Sequence, residues 1–320
     1  MKNFPVIVLV GTVTSFFAGG LRAEPASDGK EHSKLPGPVL HYNFESQTVD
    51  AVLNQLGRAH PGKPNRAFFT KSLSGDTSFS ARKEPVKTGY IETADHEDFN
   101  GPEFTVAAWV KLRRDDSNGS VVCKHDWLNG GARGFVLRFY SSKKPNLTIG
   151  AAGWKSVDGE TPLLVNQWTH VAGTFDGTHL RIFHNGRLDG SNEITEDYTP
   201  SPYPLRVGHA AFALDRHRKF DGQLDDVMLW NRALSESELR ELYEEQKDAR
   251  PKPLTPESIA PLVKGLGADD YQQRVATQQR LIELDTELLP LIEGHQKKAD
   301  PEIAWRLRQV KKIINRDLSE

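Results

Sequence analysis

From Val39 to about Trp230, apolar and polar positions alternate with a period of two. Leu40, Tyr42 and Phe44 alternate with Val39, His41 and Asn43; Phe135, Leu137 and Phe139 with Val136 and Arg138; Leu180 and Ile182 with Arg181 and Phe183. This is the pattern of short strands with one face toward a core. Residues 104–110 and 171–175 are apolar on both faces, which predicts central strands of a packed two-sheet structure. Asn118-Gly119, Asn129-Gly130, Asp158-Gly159, Asp176-Gly177, Asn185-Gly186, Asp189-Gly190 and Asp221-Gly222 punctuate the segment and supply the positive φ of tight turns. Many short strands with turns and no helices between them predict an antiparallel β-sandwich. The alternating βα pattern of a nucleotide-binding sheet is absent.

The period changes at Leu234. Ser235 and Glu238 make a capping box, and Leu234 and Leu239 occupy the positions of a hydrophobic staple, so a helix is predicted from Glu236 to about Glu245. Residues 247–255, with Pro251 and Pro253 among charges, predict a stiff connector. Residues 256–320 read as three or four short helices, capped at Thr255, Asp269 and Asp300. One apolar stripe is predicted through Tyr271, Val275 and Ile282, and another through Ile303, Leu307, Val310 and Ile314.

The N-terminus has a different character. Lys2, an uncharged apolar run from Phe4 to Ala18 and the small residues that follow read as a secretory signal over residues 1–23, too short to span a bilayer comfortably. Residues 24–37 are polar, Pro- and Gly-bearing linker. No later segment has spanning length, so the expected product is exported, either secreted or held in the periplasm or cell envelope, with no transmembrane segment after signal removal. Against 41 Lys and Arg stand 43 Asp and Glu, a net charge of −2, which disfavours a protein built to hold nucleic acid. A single cysteine, Cys123, precludes an intramolecular disulfide and every multi-cysteine zinc pattern.

Catalytic signatures are missing. Residues 57–63 match the start of a phosphate-binding loop, but Pro64 stands where a Mg²⁺-binding hydroxyl is needed and cannot donate an amide. There is no Gly-x-Ser-x-Gly elbow, and His96-Glu97 is followed by Asn100 where a second zinc-binding histidine would sit. Asp95, Glu97 and Asp98 read as a solvated loop rather than a glycosidase pair. The eleven histidines are scattered without metal spacing; His170, inside an apolar strand, reads as packed. Trp109, Trp168 and Trp230 lie in strand patterns and are expected in the core. Trp127 and Trp154 fall in polar, glycine-bearing loops, where an indole either stacks on a sugar or a partner or folds over its own sandwich.

Several stretches together resemble one family. Residues 104–111 (FTVAAWVK), 166–177 (NQWTHVAGTFDG), 180–186 (LRIFHNG), 205–208 (LRVG) and 220–235 (FDGQLDDVMLWNRALS) are similar, in this order, to laminin G-like domains of the concanavalin A-like jelly-roll type. The resemblance implies an all-β antiparallel jelly-roll sandwich over residues 38–246, used chiefly as a non-catalytic module for a glycan or an extracellular protein. Trp127, Trp154, Asp126 and Arg133 are its candidate ligand-binding residues. It also implies a structural Ca²⁺ held by Glu45 and Asp225, with backbone carbonyls and water completing the shell; the alternative for Asp225 is an ion pair with an arginine such as Arg232. The segment 269–276, with Leu288 to Leu291 and 300–306, resembles a HEAT-like helical repeat, which must pack on flanking helices, the sandwich or a partner. A polysaccharide hydrolase of the same fold would need a Glu-x-Asp-x-x-Glu run, which is not found. A structural envelope component assembling through its helical tail is the third alternative.

Overall fold

The computed structural model describes residues 37–319 except 46, 49, 58, 66, 73–75, 82–88, 114–118, 126–130, 141 and 210–219. The leader at 1–23 and the linker at 24–37 therefore lie outside the described residues, Gly37 apart. The strands are β1 (Leu40–Tyr42), β2 (Lys63–Asn65), β3 (Phe68–Lys71), β4 (Thr77–Ala81), β5 (Tyr90–Thr93), β6 (Phe104–Leu112), β7 (Gly119–Lys124) and β8 (Phe135–Phe139). There follow β9 (Pro145–Ala151), β10 (Gly153–Asp158), β11 (Thr169–Phe175), β12 (His179–His184), β13 (Arg187–Glu193), β14 (Leu205–Val207) and β15 (Gly222–Trp230).

They form two antiparallel sheets. One runs β13-β12-β11-β6-β15-β4-β3, with β1 also paired to β15; the other runs β10-β9-β8-β7-β14-β5-β2. The period-two residues meet between the sheets: Leu40, Tyr42, Phe44, Phe135, Leu137, Leu180 and Ile182 are fully buried in one core with Val106, Val110, Leu147 and Ile149. Asn185-Gly186 makes the two-residue hairpin between β12 and β13, with φ of 51° and 73°. Glycine is required there twice over, since a Cβ on Gly186 would stand 2.8 Å from the Arg240 Cα. Asp189-Gly190 is no turn; it lies inside β13.

β6 is apolar on both faces because a helix covers its outer side. That helix, α1 (Glu236–Gln246), has the capping box at Ser235 and Glu238 and buries Leu239 and Leu242. A fully buried leucine contributes about 1.5–3 kcal/mol, against roughly 1 kcal/mol for a cap, so docking rather than capping holds α1 in place. Trp109, on the outer face of β6, stacks on Tyr243 at 5.7 Å and donates its indole N–H to Gln246 at 2.8 Å. His170 packs against Trp109, and burial pulls its imidazole down to about 4, so it is neutral at physiological pH.

Four further helices follow: α2 (Pro256–Gly265), α3 (Tyr271–Glu283), α4 (Leu289–Gln296) and α5 (Pro301–Ser319). Ile259, Leu266, Leu281, Leu288, Ile292, Leu307, Val310 and Ile314 form their separate core. Two details depart from the pattern. The cap of α3 is Asp270 rather than Asp269, its carboxylate accepting the Gln273 amide at 2.7 Å. Tyr271 and Val275 are exposed, because α3 turns its Thr277 toward Gly265 of α2 and buries Leu281 instead. This helical segment meets the sandwich through an ion pair of Lys111 in β6 with Glu287, in the turn between α3 and α4, and through the Arg280 guanidinium of α3 donating to the Ser72 carbonyl just after β3. No helix among the described residues is long and apolar enough to cross a membrane.

Candidate functional site

Sheet register gathers several chain segments at one end of the second sheet. Thr93, the end of β5, pairs with Leu205, the start of β14; Lys124, the end of β7, pairs with Phe135, the start of β8; Ala151 and Gly153 close β9 onto β10. Lys124 ties these termini together. Its buried ammonium donates to Asp95 at 2.6 Å and to the carbonyls of Ser201 and Tyr203 at 2.5 and 3.1 Å. Burial pulls the Lys124 pKa down, and the Asp95 bond and charge oppose the shift. The chain then passes so close that a Cβ on Gly134 would lie 1.7 Å from the Lys124 carbonyl oxygen; only glycine, here at φ 72°, fits.

Two of the sequence-derived ligand residues lie at this end of the sheet. Trp154 is not in a loop: it is the second residue of the edge strand β10, paired with Gly150. Its side chain is partly exposed, and its ring lies 5.1 Å from that of the buried His125. The backbone at Arg133 crosses directly over Gly150, the strand partner of Trp154, where a Cβ would meet the Arg133 nitrogen at 2.2 Å, and Arg133 itself is exposed. Trp127 and Asp126 lie outside the described residues. Pattern reading passed over His125 and Lys124, since an isolated basic residue at a strand end carries no local signal.

Charged side chains also lie on the outer surface of this sheet. The Arg138 guanidinium donates to Asn146 and Thr148, both at 3.0 Å, and lies 4.7 Å over the exposed Tyr140 ring. Arg206 pairs with Glu92 at 2.7 Å and lies 5.3 Å from the Tyr90 ring. Exposed rings beside planar hydrogen-bonding groups can stack on an apolar sugar face and hold its hydroxyls. Asp95 is committed to Lys124, and Asp98 bonds His60 at 2.8 Å.

Glu45 and Asp225 occupy other surroundings. Exposed Glu45 accepts the Thr77 amide at 2.6 Å. Asp225 sits at a bulge of β15 and pairs with Arg250 at 2.5 Å, not with Arg232, which pairs with Glu238. Arg250 also holds Asp226 at 2.6 Å, and Asp226 in turn bonds His41 of β1 at 2.6 Å. Burial pushes the Asp225 carboxyl up to about 8, with the Asp226 charge adding to the rise. Burial raises Asp226 as well, but the His41 bond and the Arg250 charge outweigh it and hold that carboxyl below the usual range. A cation placed on Asp225 would therefore compete with a guanidinium already in position. Trp109 and Trp230 are buried as expected, whereas Trp168 is only half-buried and lines a small cleft between sandwich and helices.

Residues 86–240 match the family model described as the concanavalin A-like lectin/glucanases superfamily, of laminin G type. No curated protein matches the chain. In fold it is similar to the binding domain of Paraclostridial Mosquitocidal Protein 1, with a TM-score of 0.54 and 15% identity over 65% of this chain and 52% of that one. It is also similar to the receptor binding domain of botulinum neurotoxin D, with a TM-score of 0.51 and 13% identity over 66% and 53%. The chain thus spans about half the length of these solved structures. The two antiparallel sheets form a β-sandwich, and residues 86–240 of it are similar to the concanavalin A-like domains of laminin G type that this family model describes.

Proposed function

We infer that this chain is an exported, non-catalytic binding module that takes a glycan, or an extracellular or envelope protein, at the loop end of its second sheet. The observation that carries this is the exposed Trp154 on the edge strand β10, with the chain at Arg133 crossing over its strand partner Gly150. The outer face of the first sheet is meanwhile taken up by α1 and the helices beyond it. A rigid strand position orients the indole, so little side-chain freedom is lost on binding. The matched folds bear the names of binding domains, and extending that role to this chain is part of the inference.

A glycan array probed with the full chain, followed by an assay for product on the same sugars, tests it. Binding without product, reduced to background by Trp154→Ala and weakened by Arg133→Ala, is the expected result. Product formation would instead make the chain a hydrolase. A second reading, assembly through the helical tail, is favoured by the exposed Tyr271, Val275 and Trp305. Self-association lost on Trp305→Ala, with no sugar or protein bound, would replace the first reading with it.

A further inference from the structure

β2 and β5 are antiparallel neighbours, with Lys63 opposite Glu92 and Asn65 opposite Tyr90. Continued outward, that register sets the chain just before β2 beside the chain just after β5, and so brings His60 against His96 and Asp98. The contact joins residues far apart in sequence. His60 Nε2 lies 2.8 Å from Asp98 Oδ2, and His96 Nδ1 lies 3.2 Å from the same oxygen. The three potential ligand atoms all fall within 4.8 Å of one another, and this is the one such group of three or more among the described residues.

The surroundings differ for each member. His60 is anchored: its side chain is 10% exposed, its ring packs 4.8 Å from Phe99, and its carbonyl accepts the Tyr42 hydroxyl at 2.6 Å. Tyr42, its one proton used, accepts from Thr93 at 2.7 Å. His96 caps the 3₁₀ turn Glu97–Phe99, its Nδ1 accepting the Asp98 amide at a long 3.2 Å. The His96 and Asp98 side chains, 46% and 38% exposed, have room to adjust. One fixed imidazole, one adjustable imidazole and one carboxylate meet beside the Phe99 ring, at a partly exposed surface.

From this geometry we propose that His60, His96 and Asp98 bind one divalent transition-metal ion, of the zinc class. Around a tetrahedral zinc with bonds of about 2.0–2.1 Å, ligand atoms stand roughly 3.3 Å apart. The two measured separations need only a small opening, and the third closes by rotation of His96. Two nitrogens and a single carboxylate select zinc, cobalt or nickel over calcium, which takes six to eight oxygens. The ion would replace the proton shared by His60 and Asp98 and take the lone pair that now accepts the Asp98 amide. Three protein ligands leave a position for water, facing solvent. The ion would join the segment before β2 to the turn after β5, at the end of the sheet that carries Asp95 and Lys124.

The test is titration of the metal-free full chain with Zn²⁺, by calorimetry and by thermal melting, and with Co²⁺, by visible absorption. One ion per chain is expected, with a raised Tm and a cobalt band of low-coordinate type. His96→Ala and Asp98→Ala are each expected to weaken binding by at least roughly 10-fold, while the metal-free melting temperature stays near that of the unaltered chain. His179→Ala, at a partly exposed histidine remote in sequence, is expected to change nothing. If the unaltered chain takes up no stoichiometric ion below millimolar concentration, the cluster is a hydrogen-bonded contact and the proposal fails. It fails equally if binding survives in the His96→Ala/Asp98→Ala double variant, or if His179→Ala abolishes it.

Discussion

Replacing Arg250 by glutamine removes the one guanidinium that bridges Asp225 and Asp226. Arg250 reaches them at 2.5 and 2.6 Å, and the three side chains are 13%, 7% and 9% exposed, so water screens the pairs only slightly. Breaking a buried pair from one side costs about 3–5 kcal/mol, since Asp226 is left with the His41 bond and Asp225 loses the guanidinium beside it, both away from water. The guanidinium also lies 5.2 Å from the Trp109 ring, a contact that adds at most a modest amount. At roughly 2–4 °C per kcal/mol for a chain of this size, the melting temperature should fall by roughly 6–20 °C. The penalty should grow with pH. Asp225 has its folded pKa raised to about 8, so between the ordinary carboxylate range and that value the native state holds a proton that the unfolded state has released. The stability this contributes is lost as pH rises through about 8, where the unaltered protein can still pair the new charge with Arg250 and the variant cannot. Melts followed by circular dichroism at pH 5.5, 7 and 8.5 measure both effects, and Asp225→Asn in the Arg250→Gln background should recover part of the loss. A fall of less than about 1 kcal/mol at pH 7, or a penalty that shrinks toward alkaline pH, would refute the assignment of a buried, coupled network.

Other expectations follow from single contacts. Gly134→Ala should destabilise strongly, since its Cβ would overlap the Lys124 carbonyl, and a urea midpoint measures the loss. Lys124→Met removes the ammonium bonds to the Ser201 and Tyr203 carbonyls and should cost about 1–3 kcal/mol by the same assay. Ser235→Ala removes the cap of α1 and should cost roughly 1 kcal/mol. Calcium added to the metal-free chain is expected to leave the melting temperature unchanged, Asp225 being held by Arg250. A rise abolished by Glu45→Ala would instead support the calcium site implied by the family resemblance.

Where one residue and its near neighbours carry the information, reading the chain was enough. The burial of Leu40, Tyr42 and Phe44 follows from a period of two, and the start of α1 from Ser235 and Glu238, because a strand's faces and a helix's first turn are set within a few residues. Glycines misled where they stand for crowding rather than turning. Gly150 and Gly153 made the neighbourhood of Trp154 look like a loop, although Gly150 lies in β9 beneath the crossing at Arg133 and Trp154 lies in a strand. Tyr271 and Val275 looked like a core stripe on α3, but the inward side of that helix is set by its approach to Gly265.

The alternation of side chains, the turn at Asn185-Gly186 and the lack of any βα repeat thus sufficed for two antiparallel layers followed by helices, since each is a short-range property of the backbone. Which distant residues share a pocket is a matter of register and of docked helices. Arg250 reaches Asp225 from beyond α1, the chain at Arg133 crosses over Gly150, and His60 meets His96 and Asp98 through the β2–β5 pairing. No spacing along the chain encodes these meetings, because they arise when long loops are closed by packing.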